Sequence, residues 1–239
     1  MPLGNDEKRS SVYIKVLKHL FKSHEIALAY ELIDGIGGLQ TITKEEESVY
    51  RGSRKTSSFS NKARKNPETD GETRIRYQLG EQRNLKIGSW EFEIFYTEAS
   101  TKKTRDRKNP GGSADLLAID KRTGRIVVLE LKDKSNSEYL LSALLQGTVY
   151  RAQFPHLKKH IIEKLKETNS HTRLKSKMRY GTIVLAVDGW KRLKEEEIKM
   201  KALLSKRNSS ELYAVATLKK QENLWIGEWF AGAPRNSTT

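Results

Sequence analysis

Gly112-Ser113-Ala114-Asp115-Leu116-Leu117-Ala118-Ile119-Asp120-Lys121-Arg122-Thr123-Gly124-Arg125-Ile126-Val127-Val128-Leu129-Glu130-Leu131-Lys132 is the stretch on which the reading of this chain turns. Leu116 to Ile119 and Ile126 to Leu131 are apolar runs rich in strand formers, and Asp120 to Arg125 between them has the composition of a turn. Pairing Asp120 with Arg125 sets a hairpin register. Ile119 then faces Ile126, Leu117 faces Val128 and Asp115 faces Glu130. Opposed residues hold their Cβ atoms about 4.5–5.5 Å apart, so two carboxylates share one small volume. Alternation along a strand puts Lys132 on the face of Glu130. Leu129 and Leu131 point to the other face, also apolar, as expected of a central strand covered on both sides.

Two carboxylates that close repel unless a proton or a cation lies between them. Oxygen donors without cysteine select a hard ion, Mg²⁺ or Mn²⁺. The tripeptide Glu-x-Lys is weak by itself, for it recurs at Glu197-Ile198-Lys199 within a charged helical stretch. What distinguishes Glu130 is the apolar strand before it and the Asp set opposite. The bland alternative is a hairpin with charged ends, in which Lys132 neutralises the acids.

Downstream, Ser137 to Phe154 reads as a helix, with Leu140, Leu141, Leu144, Leu145 and Val149 at helical spacing. Gln146 and Tyr150 are four apart and share a face. Gly147 beside them costs about 1 kcal/mol relative to Ala in a helix interior, which points to a close backbone approach. Taken alone, Gln146 and Tyr150 are equally the edge of an ordinary amphipathic helix.

Together, Gly112…Asp115, Glu130-Leu131-Lys132 and Gln146…Tyr150 resemble the PD-(D/E)xK nuclease superfamily, and more narrowly its RecB-like branch, whose pattern is G-x-x-D, E-x-K and Q-x-x-x-Y. The resemblance covers about Ser89 to Val187. It implies a restriction-endonuclease-like α/β sandwich with a central mixed sheet flanked by helices. It implies Asp115 and Glu130 as metal ligands with the carbonyl of Leu131, Lys132 as the group that positions or activates the attacking water, and Gln146 and Tyr150 as substrate contacts. Branch members that hold an iron–sulfur cluster do so through cysteines, and this chain has none. The family also often supplies an acid or a His from an upstream helix. Arg9 to Ile33 carries a helical stripe of Val16, Leu17, Leu20, Phe21, Leu28 and Leu32, with Glu31 and His24 on or beside it. Glu31 is the preferred upstream ligand, and His24 reads better as a core or edge histidine. Glu72 and Glu81 compete if their segment is helical.

Charge agrees with a polyanionic partner. Lys and Arg number 45 against 30 Asp and Glu, a formal net charge of +15, and such a field favours nucleic acid in a salt-dependent way. The loop Lys102, Lys103, Arg105, Arg107 and Lys108 leads through Asn109-Pro110-Gly111-Gly112 into the acidic hairpin, so those five cations are read as substrate-binding. A second basic run, His156 to Arg179, reads equally well as solvated surface.

The class bounds follow from composition. A chain of 239 residues fits one elaborated domain, read as a helical segment 1–40, a basic mobile loop 41–70 and a nuclease core 71–239. No apolar run is long enough to span a membrane, and the charged N-terminus lacks a signal-peptide core. Without cysteine there are no disulfides and no thiolate chemistry. The expected setting is cytoplasmic (intracellular), with no membrane partner. Remaining elements are read as strands at Arg74 to Leu79, Ser89 to Thr97, Tyr180 to Val187, Glu211 to Leu218 and Leu224 to Phe230, and helices near His160 to Glu167 and Leu193 to Leu204. The glycines of Gly35 to Gly38 lack the strand–helix context of a nucleotide loop.

These readings converge on a Mg²⁺- or Mn²⁺-dependent deoxyribonuclease favouring single-stranded or end-containing DNA, with RNA as a further substrate to consider. The alternatives are a site-specific endonuclease, with Arg51 to Pro67 or the last strands reading sequence, and a non-catalytic nucleic-acid-binding module.

Overall fold

A computed structural model describes residues 71–100, 113–136, 138, 140–153, 162–163, 165–166, 179–205 and 212–232. In chain order these form α1 (Glu72–Gln82), β1 (Asn84–Ile87), β2 (Trp90–Ser100), β3 (Ser113–Asp120), β4 (Ile126–Lys132), α2 (Leu140–Gln153), β5 (Tyr180–Val187), α3 (Lys191–Ser205), β6 (Leu212–Gln221) and β7 (Leu224–Ala231).

The β3–β4 hairpin has the register expected from its turn. Ile119 pairs with Ile126, Leu117 with Val128 and Leu116 with Leu129, and the Asp120 N–H donates to the Arg125 carbonyl at 2.9 Å. Asp120 is fully buried and folds the turn back on itself: its carboxylate accepts from the Arg122 N–H and the Thr123 hydroxyl. Gly124 carries the turn at φ 68°, a conformation that glycine adopts without a Cβ clash.

From β4 the sheet grows through parallel pairs β4–β5 and β5–β6, each bridged by a helix, α2 and α3, because parallel neighbours need a long crossover. The expected helix-flanked sandwich is not what forms. The strands run in the order β1 to β7 and close into a barrel of mixed strand directions. Closure comes from β1, a short strand that the sequence reading did not anticipate. It pairs antiparallel with β2 and parallel with β7, through Lys86 with Ile226 and Ile87 with Gly227. The Gly88 N–H completes the seam on the Gly227 carbonyl at 3.0 Å. A seven-stranded ring leaves no open edge, whereas a sandwich with a central open sheet has two.

The interior draws one face from all seven strands, including Leu85, Phe92, Leu116, Leu129, Ile183, Leu218 and Trp225, and it takes in Ile75 and Leu79 of α1. So α1 is part of the barrel's filling rather than one layer of a sandwich. Its sequence, Arg74-Ile75-Arg76-Tyr77-Gln78-Leu79, alternates and reads as a strand; it is a helix instead. Ile75 and Leu79, four apart, fall on one helical face as readily as on one strand face, and the barrel interior decides between them. On the outside, Leu140, Leu141 and Leu144 of α2 and Leu193, Met200 and Leu203 of α3 pack over Val184, Ala186, Tyr213 and Val215.

The segments 1–40 and 41–70, including the helix read at Arg9 to Ile33 and the loop Arg51 to Pro67, lie outside the described residues, as does half of His160 to Glu167, whose described residues are helical. Among the described residues, no helix is long and apolar enough to cross a membrane.

Candidate active site

The β3–β4 ladder stops at Leu116 with Leu129, one pair short of Asp115 and Glu130. Beyond it the strands part, and the Asp115 carboxylate enters the gap: Oδ2 accepts the Leu131 N–H at 2.9 Å. The side chain thus stands in for a backbone partner and fixes a carboxylate at the end of β4. Asp115 and Glu130 remain electrostatic neighbours, though not as a ladder pair.

Glu130 is 1 % exposed. Burial first, then the charge of Asp115, pushes its pKa well above the ordinary carboxylate range, against the pull of Lys132. Its Oε1 accepts from Lys132 Nζ at 3.1 Å, while Oε2 is buried with no hydrogen-bond partner among the described residues. Lys132 also reaches Glu138 Oε2 at 2.8 Å. Burial acts to lower the lysine's pKa, but the carboxylates of Glu130 and Glu138 outweigh it and drive it upward. Lys132 is therefore an ammonium in this arrangement, a hydrogen-bond donor and a positive charge rather than a base.

The first turn of α1 completes the cluster. Glu72 accepts from the Asn136 side-chain amide at 2.6 Å, and the Asn136 carbonyl in turn accepts the Trp190 indole N–H at 2.7 Å. Burial raises the Glu72 pKa and Asp115 adds to it, with Lys132 and Asn136 opposing. One turn along, Arg76 Nη1 lies 2.8 Å from Asp115 Oδ1. Helical structure here meets the condition under which Glu72 and Glu81 were candidates. Glu72 lies among the site's charges, whereas Glu81 is exposed. Arg76 was missed because its segment was read as a strand, a reading that gives no reason to bring it to Asp115.

The close approach expected at Gly147 is present. A Cβ there would lie 2.5 Å from Thr182 Cγ2 and 3.8 Å from Glu130 Cβ, so α2 presses its backbone against β4 and β5 beside the buried acid. Gln146 on that turn is half-buried, and Tyr150 belongs to α2 as expected. Gly112, His24, Glu31, Lys102, Lys103, Arg105, Arg107 and Lys108 lie outside the described residues.

No protein-family model, curated protein or solved structure matches this chain. The site must be read from its own chemistry. Among the described residues, no group of three or more His, Cys, Asp and Glu side chains is gathered for a metal ion. The donors that are present do suit a hard divalent cation: all are oxygens, and Glu130 Oε2 is a buried acceptor lacking a partner among the described residues. An unsatisfied buried carboxylate oxygen costs free energy that a cation or a proton would recover.

Proposed function

We propose that this protein is a metal-dependent nuclease that hydrolyses DNA phosphodiester bonds, with Asp115 and Glu130 as the carboxylates that would hold Mg²⁺ or Mn²⁺ and Lys132 as the catalytic cation. The observation that carries it is the buried Glu130 with its unpartnered Oε2, set beside Asp115 and bonded to the ammonium of Lys132. A plain binding module gains nothing from burying carboxylates in a chain of net charge +15. The reading keeps the likeness of the three short motifs to RecB-like nucleases and rests on the site, since fold alone does not assign function.

Hydrolysis adds water across one ester bond. The water oxygen bonds to phosphorus, the bond to the leaving sugar oxygen breaks, one proton ends on that oxygen and another is released to solvent. A divalent ion, when bound, polarises the phosphate and acidifies the attacking water. The chain's own residues do the rest. Asp115 is held rigid by the Leu131 N–H, and the Leu131 carbonyl lies on the same strand end between Glu130 and Lys132. Lys132, kept charged by Glu130 and Glu138, stabilises the negative charge that grows on the phosphate oxygens. Glu72 supplies a further carboxylate at the same end of the barrel. Gln146 and Tyr150 on α2, and the cations Lys102 to Lys108, are the proposed substrate contacts.

The test is cleavage of labelled linear single-stranded, linear duplex and closed-circular DNA, and of a matching RNA, with Mg²⁺, Mn²⁺ or EDTA. Metal-dependent cleavage lost in Glu130→Gln is expected, with closed circles spared if attack starts at ends. Circles nicked or linearised would favour the site-specific endonuclease. Salt-sensitive binding without cleavage of any substrate would overturn the nuclease and leave the binding module.

A further inference from the structure

Arg76 is bonded directly to Asp115. Its Nη1 is 2.8 Å from Asp115 Oδ1, with side chains only 13 % and 10 % exposed. The other Asp115 oxygen is taken by the Leu131 N–H, so the two bonds together occupy both carboxylate oxygens. Arg76 is braced on its own helix, Nη2 to Thr73 Oγ1 at 3.4 Å, and lies four residues after Glu72, on the same face of α1. A carboxylate that is to hold a cation must have an oxygen facing it. Here that oxygen is covered by a guanidinium, a planar donor whose geometry matches a phosphate as well as it matches a carboxylate.

We infer that Arg76 is a positioning residue with two partners in turn: it balances the charge of Asp115 until the divalent cation arrives, then releases Oδ1 and turns its guanidinium to the scissile phosphate. This rests on the nuclease reading and adds to it a residue and an order of events. Without Arg76, Asp115 keeps the Leu131 N–H on Oδ2 but Oδ1 loses its guanidinium partner, and cation binding no longer has to displace it. With Arg76 in place, cation and phosphate are coupled, because each makes room for the other. A guanidinium that merely braces Asp115 predicts the opposite sign, since losing the brace loosens a ligand.

The experiment is calorimetric titration of the full chain with Mn²⁺, comparing the parent with Arg76→Gln, Arg76→Lys, Glu130→Gln and Lys134→Gln. Lys134 is exposed, and its variant controls for the loss of one positive charge nearby. Arg76→Gln is expected to bind Mn²⁺ about tenfold more tightly, the scale of one lost charge-assisted hydrogen bond, and Lys134→Gln to change affinity far less. In the presence of a non-cleavable phosphorothioate oligonucleotide, the parent is expected to bind Mn²⁺ more tightly than alone, and Arg76→Gln to lose that gain, with Arg76→Lys between. Mn²⁺ binding that depends on Glu130 but is unchanged or weakened in Arg76→Gln overturns this inference alone. Absence of Mn²⁺ binding in the parent, equal to Glu130→Gln, overturns the nuclease reading with it. Circular dichroism of each variant separates a loss of fold from a loss of site.

Discussion

Lys132 and Glu130 are a buried pair whose members shift each other's protonation in ways that can be measured separately. Lys132 donates to Glu130 at 3.1 Å and to Glu138 at 2.8 Å, so replacing it by Met strips a charge from the site while keeping the volume of the stem. Cleavage by Lys132→Met is expected to fall by about 10²–10⁴-fold, the range for losing one electrostatic or proton-handling group, with DNA binding nearly unchanged. Equal losses in binding and cleavage would make Lys132 a substrate anchor instead. Glu130 gives a second prediction. Burial and Asp115 hold its pKa well above the ordinary carboxylate range, so a cation at the proposed site would compete with a proton for it. Mn²⁺ affinity is therefore expected to keep strengthening as pH rises above the ordinary carboxylate range, with protons released on binding, and Glu130→Gln to flatten that dependence. A parent affinity independent of pH would remove Glu130 from the ligand set. At this scale the nearness of Asp115, Glu130 and Lys132 was legible because the turn fixes the hairpin register, although Asp115 bonds to the Leu131 N–H instead of pairing with Glu130 as expected. Arg76 was not, because recognising it required knowing that its segment is helical.

Between α2 and the sheet, one glycine sets the distance. A methyl group at Gly147 would sit 2.5 Å from Thr182 Cγ2, closer than packed carbons approach. Gly147→Ala is expected to lower stability by about 1–3 kcal/mol, as overpacking does, despite the better helix propensity of Ala. Removing the opposing methyl with Thr182→Ser should restore part of that loss in the double variant, and urea unfolding of the four proteins measures the coupling. Strict additivity would mean that α2 is not seated where Gly147 places it. The helix packed beside it carries a different sensitivity. Glu196 of α3 is 4 % exposed, and neither carboxylate oxygen has a hydrogen bond of good geometry among the described residues. Burial raises its pKa to about 7, with the backbone at Leu141 and Leu140 and the charge of Arg192 pulling the other way. The folded state thus holds this proton more tightly than the unfolded chain does. The stabilisation is fully present below the ordinary carboxylate pKa, near 4.5, and is lost as pH rises through about 7. The whole effect is about 3 kcal/mol, so Glu196→Gln should be more stable than the parent above neutrality and have a flatter profile by urea unfolding. An unchanged profile would mean that Glu196 finds partners once the chain relaxes. Elements such as β4 and α2 were readable because periodicity and length agree. Arg74 to Leu79 was not, since Ile75, Tyr77 and Leu79 alternate as a strand would. Four-residue β1, Asn84-Leu85-Lys86-Ile87, is too short for its pattern to register.

Closure of the barrel hangs on contacts that no local pattern announces, because β1 and β7 meet across most of the described chain through two residue pairs. At that seam the Ile87 side chain lies against the Gly227 backbone: a Cβ on Gly227 would lie 2.9 Å from Ile87 Cγ1. The seam is also where α1 is tied down. Gln82 donates to the Trp225 carbonyl at 2.8 Å and accepts the Trp225 N–H at 2.7 Å, and Gln78 accepts the Trp225 indole N–H at 2.9 Å. The helix that carries Glu72 and Arg76 to the site is thus anchored at its far end on β7. Closing the ring and aligning the site are then one mechanical event, and a substitution at the seam should be felt at Asp115 without touching it. Gly227→Val is expected to abolish amide-exchange protection in β1 while β4 and β5 keep theirs, since their parallel ladder is independent of the seam. The same variant should lose most of its cleavage activity, and with Arg76 displaced from Asp115 it should approach the Mn²⁺ affinity of Arg76→Gln. Protection lost uniformly along the chain would mean that the ring opens only when everything unfolds. A seam that opens with cleavage intact would mean that α1 reaches the site by its packing against the interior alone, through Ile75 and Leu79, and that the ring serves only to protect the sheet's edges.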